Sequence, residues 1–239
     1  MKGVIVAGGS GTRLRPLTDL VNKHLLPVGG YPMIHYALAK MAEAGIREVL
    51  LITGKASAGL FTQYIGSGEP WEIQVTYRIQ ERPGGIAEAV SLAEGFIRPG
   101  DKFVVLLGDN LFEDSLAAAV SEFQEQPTGA RVFLKEVPDP RRYGVPVLRD
   151  GRIVSIEEKP ENPPSTYCVT GIYMYDAGVF GEIRQVTRSA RGELEITDVN
   201  NRYAAAGLLQ YGMLEGWWAD AGTPRSLLEA GLRLMKGES

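Results

Sequence analysis

Val6-Ala-Gly-Gly-Ser-Gly-Thr-Arg-Leu-Arg-Pro16 follows directly on the apolar run Gly3-Val4-Ile5-Val6. The run reads as a buried parallel strand, because a strand covered on both faces shows continuous rather than alternating hydrophobicity. It stops at Gly8 and Gly9, and Gly11 follows. Glycine tolerates φ > 0 and close backbone approach, so Gly8, Gly9, Ser10, Gly11 and Thr12 can turn several N–H groups into one concavity. Arg13 then adds a permanent planar cation. A strand opening into an N–H-lined turn with an arginine is a phosphate cradle, and a strand–turn of this kind belongs to an α/β sheet.

The first half of the chain alternates strands and helices. Val4 to Ala7, Val49 to Thr53, Ile73 to Ile79 and Phe103 to Leu107 are short and rich in β-branched or large apolar residues, as strands are. Between them lie helix-period stretches at Pro32 to Ala44, Ile86 to Phe96 and Ser115 to Phe123. In the first of these, Ile34, Leu38 and Met41 share a face with Ala37 and Ala44; Pro32 suits the first turn and Gly45 the stop. Such alternation predicts a mostly parallel sheet with helices on both faces, a Rossmann-like three-layer α/β/α arrangement.

The second half is richer in strands, at Arg131 to Glu136, Val145 to Leu148, Arg152 to Glu157 and Tyr167 to Tyr175. The Asp150-Gly151 pair between two of them is a hairpin signal. Leu194 to Ala206 returns to helix. A last helix runs from Thr223 to Lys236, with Thr223 as N-cap, Pro224 at its first position, and Leu227, Leu228, Gly231, Leu234 and Met235 on one face. One domain over 1–239 is expected. Its parts are an α/β part carrying the phosphate turn at about 1–130, a β-rich extension at about 131–223 and a C-terminal helix at 224–236.

Composition narrows the partners. The 239 residues include 44% hydrophobic and 23% charged residues, and 25 Lys and Arg against 29 Asp and Glu leave a formal charge of −4. No global basic field favours nucleic acid or an anionic membrane, so any polyanionic ligand must be held by locally placed cations. Cys168 is the single cysteine, which excludes an intramolecular disulfide and fits a reducing compartment. The N-terminus lacks the pattern of a signal peptide, and no apolar run approaches the roughly 18 to 20 residues of a membrane span. A cytoplasmic protein is expected.

Several residues carry chemistry. The glycine-rich turn fails the dinucleotide-binding fingerprint, since it lacks the third glycine at the right offset and an acidic residue closing the next strand. It fails the phosphate-loop pattern as well, because no Gly-Lys-Ser/Thr follows. Lys23, ten residues after Arg13, is a second cation for a polyphosphate if it returns to the turn, and a solvated charge otherwise. Neighbouring His24 reads as a loop or edge-of-core histidine rather than a general base. Asp109 follows a buried strand at its carboxyl end, where open α/β sheets bind ligands. Magnesium held by one or two carboxylates plus substrate phosphates would satisfy it. Asp220, behind Trp217 and Trp218 and just before the capped last helix, is the second candidate metal ligand. Glu157 to Pro160 and Glu193 to Asp198 read equally well as a charged hairpin end and an acidic helix start.

Taken in order, these segments resemble the sugar nucleotidyltransferases, and more closely the bacterial glucose-1-phosphate thymidylyltransferases. The stretches that carry the resemblance are AGGSGTRLRPLT at 7–18, NKHLLPV at 22–28, PMI at 32–34, QERPGGIAEA at 80–89 and LGDN at 107–110. They continue as VPDPRRYGV at 137–145, EEKPENP at 157–163, VTGIYMYD at 169–176, RGELEITDVN at 191–200 and WADAGT at 218–223. The resemblance implies that a sugar 1-phosphate attacks the α-phosphorus of a nucleoside triphosphate in line, expelling pyrophosphate. Such chemistry asks a protein for positioning and charge neutralisation rather than a nucleophile. It further implies dTTP and glucose 1-phosphate as substrates, Mg²⁺ as cofactor and a homo-oligomer, dimer or tetramer.

By matching position, the resemblance assigns Gly8 to Thr12 and Arg13 to the triphosphate, Lys23 to the leaving pyrophosphate and Asp109 and Asp220 to the metal. Lys159 would grip the sugar phosphate, with Arg13 and Lys23 the other catalytic cations. Gln80 and Gly85 would read the pyrimidine, with His24 and Asp109 also on the nucleotide. Asn110, Gly144, Glu158, Val169, Glu193 and Trp218 would line the hexose, making the β-rich extension the sugar-binding part. His24 stands where relatives often have Gln, and Val28-Gly-Gly-Tyr31 replaces a bulkier, charged turn. Relatives also carry further helices after the last matched stretch, which contribute subunit contacts and a feedback site. Two other functions compete: the same transfer from UTP, and a catalytically silent nucleotide-sugar sensor. Retention of Arg13, Lys23, Asp109, Lys159 and Asp220 argues against the sensor.

Overall fold

The computed structural model describes residues 1–9 and 11–236. From the N-terminus β1 (Lys2–Ala7) leads through 3-10 turns at Thr12–Leu14 and Lys23–Leu25 to the ribbon β2 (Pro27–Val28) and β3 (Tyr31–Pro32). Then come α1 (Met33–Glu43), β4 (Glu48–Gly54), α2 (Ala58–Ile65), β5 (Gln74–Gln80), α3 (Ile86–Ser91), β6 (Lys102–Leu107), β7 (Asn110–Phe112) and α4 (Ala117–Glu125). The second half holds β8 (Ala130–Glu136), β9 (Gly144–Arg149), β10 (Arg152–Glu158), β11 (Tyr167–Asp176), α5 (Val179–Ile183) and α6 (Ile196–Ala205). The chain closes with β12 (Leu209–Met213), β13 (Trp218–Asp220) and α7 (Pro224–Lys236). Seven strands form a mixed sheet in the order β12-β8-β11-β6-β1-β4-β5. The pairs β1–β4, β4–β5 and β8–β12 are parallel, while β8–β11 is antiparallel. The predicted α/β class with a mixed, mostly parallel sheet flanked by helices is therefore the observed one.

The chain forms two compact units. One, the turn unit, contains Gly3–Pro83, Leu106–Ala117 and the chain from Gly216 onward. In it β1 and β4 are buried over most of their length, with Val4, Ile5, Val49, Leu50, Leu51 and Ile52 fully shielded. That continuous shielding is why these strands read as unbroken apolar runs. Helix α7 seats Leu227 and Leu234 against a cluster of Val28, Met33, Leu111, Ala221 and Ala230. Its N-terminus is capped as predicted, since Thr223 Oγ1 accepts the Ser226 N–H at 3.2 Å. Leu228 and Met235, expected on the buried face, are 65% and 59% exposed. They lie one position beyond Leu227 and Leu234, and about 100° per residue carries them past the edge of the contact.

The other, the hairpin unit, contains Met1–Lys2, Gly84–Val105 and Ala118–Glu215. Phe103 stacks on Phe180 with centroids 5.9 Å apart, and buried Tyr175 donates to Asn200 Oδ1 at 2.6 Å. Strands β9 and β10 pair antiparallel around Asp150 and Gly151, whose φ values of 49° and 72° both lie in the left-handed region that a tight hairpin turn demands. The helix predicted over Ile86 to Phe96 ends at Ser91. Ser91 Oγ turns back onto the Glu88 carbonyl at 2.7 Å, and the following N–H groups bond three residues back until Gly95 at φ 91°. In the turn unit, Pro32 stands at the N-cap of α1 rather than in its first turn.

Candidate active site

The turn after β1 is built as its glycines require. Gly11 adopts φ 62°, and its carbonyl accepts the Thr18 hydroxyl at 2.7 Å, tying the loop down. Ser10, predicted on the triphosphate, lies outside the described residues. Asn22 anchors the next segment to the end of β1 by donating to the Ala7 carbonyl at 3.1 Å. That anchor delivers Lys23 to the turn: a Cβ on Gly9 would lie 3.4 Å from Lys23 Cε, and one on Gly11 would lie 3.2 Å from Lys23 Cβ. Thr12 and Arg13 begin the 3-10 turn beyond.

Lys23 reaches further, and its ammonium bonds Asp109 Oδ2. Both side chains are largely shielded, at 14% and 10% exposure. The other Asp109 oxygen accepts from Asn110 Nδ2 at 3.2 Å, and Asn110 Oδ1 accepts the Trp218 indole N–H at 2.8 Å. Trp218 thus fixes which way the Asn110 amide faces. Burial alone would push the Asp109 carboxyl up, but the Lys23 charge and the hydrogen bonds from Lys23 and Asn110 outweigh it and hold the group ionised, well below the usual carboxylate range.

Asp220 arrives through β13, whose antiparallel pairing with β7 sets it opposite Asn110. The Ala221 N–H donates to the Asp109 carbonyl at 2.9 Å, locking the two acidic residues' backbones together across 111 positions of sequence. Arg13 Nη2 lies 3.7 Å from Asp220 Oδ2, and the Gly222 N–H donates to Oδ1 at 3.0 Å. A Cβ on Gly222 would sit 2.6 Å from Arg13 Nη2, so only glycine leaves the guanidinium its place.

His24 is 2% exposed and its ring nitrogen Nδ1 lies 2.8 Å from Asn22 Oδ1. As Asn22 Oδ1 can only accept, Nδ1 carries the proton. Burial, reinforced by the neighbouring Lys23 charge, lowers its pKa to about 3, so the ring is neutral at physiological pH. Expected in a loop or at the edge of the core, the ring instead lies shielded within the 3-10 turn Lys23–Leu25. Gln80 is 7% exposed at the end of β5, where its Oε1 stands 2.7 Å from the position of a Cβ on Gly8.

The hairpin unit gathers the residues assigned to the hexose. Glu158 pairs across the ladder with Gly144, and its Oε2 accepts the Thr197 hydroxyl at 2.6 Å. Lys159, held at φ 49° with its N–H on the Tyr143 carbonyl, places Nζ 3.0 Å from Glu158 Oε1. A non-glycine residue in that region persists only where its surroundings impose it, and such strain concentrates at functional sites. Gly85, at φ 99°, presses on the start of the acidic segment, where a Cβ would lie 2.3 Å from the Leu194 carbonyl oxygen. Glu193 precedes that contact, half-buried, and Val169 is half-buried on β11 beside a register shift.

Arg191 has no role assigned from sequence, yet it stands 2.9 Å from Glu195, 3.6 Å from Glu158 and 3.7 Å from Glu193. Its only local signal is a lone cation ahead of an acidic run, four residues before Glu195. Thr197, Asn22 and Gly222 escape sequence reasoning likewise; each acts by a hydrogen bond or a vacant Cβ that no local pattern announces.

A phosphate turn with two cations beside a carboxylate pair is the arrangement of a nucleotidyl-transfer protein. A family model described as nucleotidyl transferase matches residues 2–237, and the chain belongs to that family. It is 44% identical, over 96% of its length and 81% of the relative's, to a glucose-1-phosphate thymidylyltransferase from Neisseria meningitidis. It is 42% identical, over 96% and 77%, to one from Actinoplanes. A crystal structure from Bacillus anthracis, assigned provisionally to the same activity and holding sucrose, superposes with a TM-score of 0.94 at 49% identity, covering 98% of this chain and 95% of that one. A UDP-glucose pyrophosphorylase bound to UDP-glucose matches with a TM-score of 0.87 at 25% identity, covering 99% and 98%.

Proposed function

We propose that the chain is a glucose-1-phosphate thymidylyltransferase, forming dTDP-glucose and pyrophosphate from dTTP and glucose 1-phosphate. The observation that carries nucleotidyl transfer is the pairing of Lys23 and Arg13 with Asp109 and Asp220 around one glycine-rich turn. The names of relatives 42% and 44% identical over nearly the whole chain carry the choice of thymidine and glucose.

The sugar phosphate oxygen attacks the α-phosphorus, the bond to the bridging oxygen of the β-phosphate breaks, and pyrophosphate leaves with the electron pair. Charge accumulates on non-bridging and leaving oxygens, so the protein contributes mainly by positioning and neutralisation. The N–H groups of the Gly8 to Thr12 turn and the Arg13 guanidinium hold the triphosphate, and Lys23 takes charge on the departing pyrophosphate. Lys159 orients the attacking phosphate. Glu158, fixed by Thr197, and Glu193 accept hexose hydroxyls beside Gly144 and Val169, with Asn110 and Trp218 assigned to the sugar as well. Gln80 and Gly85 read the pyrimidine edge, and His24 supports the nucleotide from beneath the turn.

Asp109 and Asp220 fit a hard divalent cation. Both offer carboxylate oxygens from adjoining backbone, Asp109 is held ionised despite burial, and His24 is neutral with Nδ1 committed to Asn22. Mg²⁺ held there would neutralise charge on the reacting phosphates. No helix among the described residues is long and apolar enough to cross a membrane; a cytoplasmic homo-oligomer is the form we propose.

Pyrophosphate release from purified protein with Mg²⁺, glucose 1-phosphate and each of dTTP, UTP, CTP, ATP and GTP tests this. dTTP is expected to be fastest. Turnover with none of the five would defeat the enzyme reading, and a faster rate with UTP would replace thymidylyl by uridylyl transfer.

A further inference from the structure

We propose that Lys23 and Arg13 serve the ligand-free chain as resident counter-cations of Asp109 and Asp220, so that a divalent cation binds tightly only once a triphosphate draws these side chains away. The inference rests on the functional reading above and concerns the order in which its parts assemble.

All four carboxylate oxygens already have protein partners. Asp109 Oδ2 holds the Lys23 ammonium and Oδ1 the Asn110 amide, while Asp220 Oδ2 faces Arg13 and Oδ1 accepts the Gly222 N–H. Two of those partners are neutral groups fixed by the fold, with Asn110 pinned by Trp218. The other two are the ends of long, flexible side chains. Any metal must therefore compete with a positive charge already in place, and on Asp109 it competes where solvent screening is weak.

The same geometry provides the exchange. The stem of Lys23 lies against Gly9 and Gly11, so rotation about its outer bonds carries the ammonium toward the phosphate turn without moving the backbone. Arg13 begins on the turn's other flank and is 53% exposed, free to swing. A triphosphate offers both cations new oxygen partners, and their departure removes the positive charge that a metal would otherwise have to displace. Metal and nucleotide then bind with positive coupling, and linkage requires each to tighten the other by the same factor. Free metal alone is held weakly.

The test reads metal binding rather than turnover. Mn²⁺ titrations followed by the electron paramagnetic resonance of the free ion give a Kd for wild type and for Lys23→Met, with and without a non-reacting dTTP analogue. In the absence of nucleotide, Lys23→Met is expected to bind Mn²⁺ at least about tenfold more tightly than wild type, with the analogue's enhancement shrinking correspondingly. Arg13→Met is expected to change in the same direction by a smaller factor, because Arg13 is half exposed. An Mn²⁺ affinity in Lys23→Met equal to or weaker than wild type would overturn the proposal. A urea unfolding curve checks that the variant folds; if it does not, Lys23→Gln, which keeps a hydrogen-bond donor for Asp109, takes its place, with the same affinity gain expected and the same result overturning the proposal. Wild-type pyrophosphate release measured on the same preparation separates the two ideas. Turnover with an unchanged Mn²⁺ affinity sinks the exchange alone, whereas absent turnover sinks the functional reading.

Discussion

Removing one member of the Lys23–Asp109 pair should cost far more stability than removing both. In Lys23→Met the Asp109 carboxylate stays behind, 10% exposed, with only the Asn110 amide on one oxygen. In Asp109→Asn the Lys23 ammonium is left at 14% exposure beside a neutral amide. A shielded charge stripped of its partner typically loses about 3–5 kcal/mol, whereas replacing a whole pair by neutral groups is often close to neutral. Each single variant is therefore expected to fall by about 3–5 kcal/mol, and Lys23→Met/Asp109→Asn by about 1 kcal/mol or less. In a chain of this size that is a midpoint about 6–20 °C lower for the singles and only a few degrees lower for the double. Urea unfolding followed by tryptophan fluorescence is well suited, because all three tryptophans, Trp71, Trp217 and Trp218, lie in the same compact unit as the pair. Single losses that simply add in the double variant, or singles within about 1 kcal/mol of wild type, would refute the electrostatic interdependence of the pair.

Gly85→Ala should destabilise by about 2–4 kcal/mol, combining overpacking against the Leu194 backbone with strain at φ 99°. Gly95→Ala, at φ 91° with nothing within 4 Å of its Cβ, isolates the strain, and equal losses in the two variants would remove the packing contribution. Lys159→Ala is expected to lower kcat/KM for glucose 1-phosphate by about 10²–10³-fold while leaving KM for dTTP nearly unchanged, a split that steady-state kinetics can read. Asp101 is held below the usual carboxylate range by the Arg98 N–H and by Lys2, against an opposing push from partial burial. A depressed folded pKa stabilises above the unfolded value near 4 and is lost as pH falls through the folded one. Asp101→Asn should therefore be less stable than wild type at pH 7 and converge with it as the pH falls through the depressed folded pKa, and a gap independent of pH would contradict this.

Patterns a few residues long carried much of the architecture. The runs at Val4, Val49 and Phe103 became β1, β4 and β6 because strands covered on both faces need nothing but apolar side chains, while the run at Ile73 became the edge strand β5, where buried Val75 stands between exposed Gln74 and Thr76. Asp150-Gly151 and Thr223-Pro224 marked a hairpin and a helix start, since backbone dihedrals and caps are decided within a turn's length. Helices α2 and α5 and strands β7, β12 and β13 had no comparable signal. They are short, and β12 is paired only because β8 lies beside it.

The chemistry divides in the same way. The glycine-rich turn, its arginine and an acidic residue after a buried strand were legible because each is a local requirement of phosphate or metal binding. Which groups meet was decided by the tertiary structure alone. Lys23 finds Asp109 across 86 positions, Asp220 is set opposite Asn110 by a three-residue ribbon, and Arg191 collects carboxylates from two segments. Contact at long range depends on how the whole chain closes, and no stretch of sequence contains that information by itself. The sequence named the charges; the fold determined that cation and carboxylate begin in each other's company.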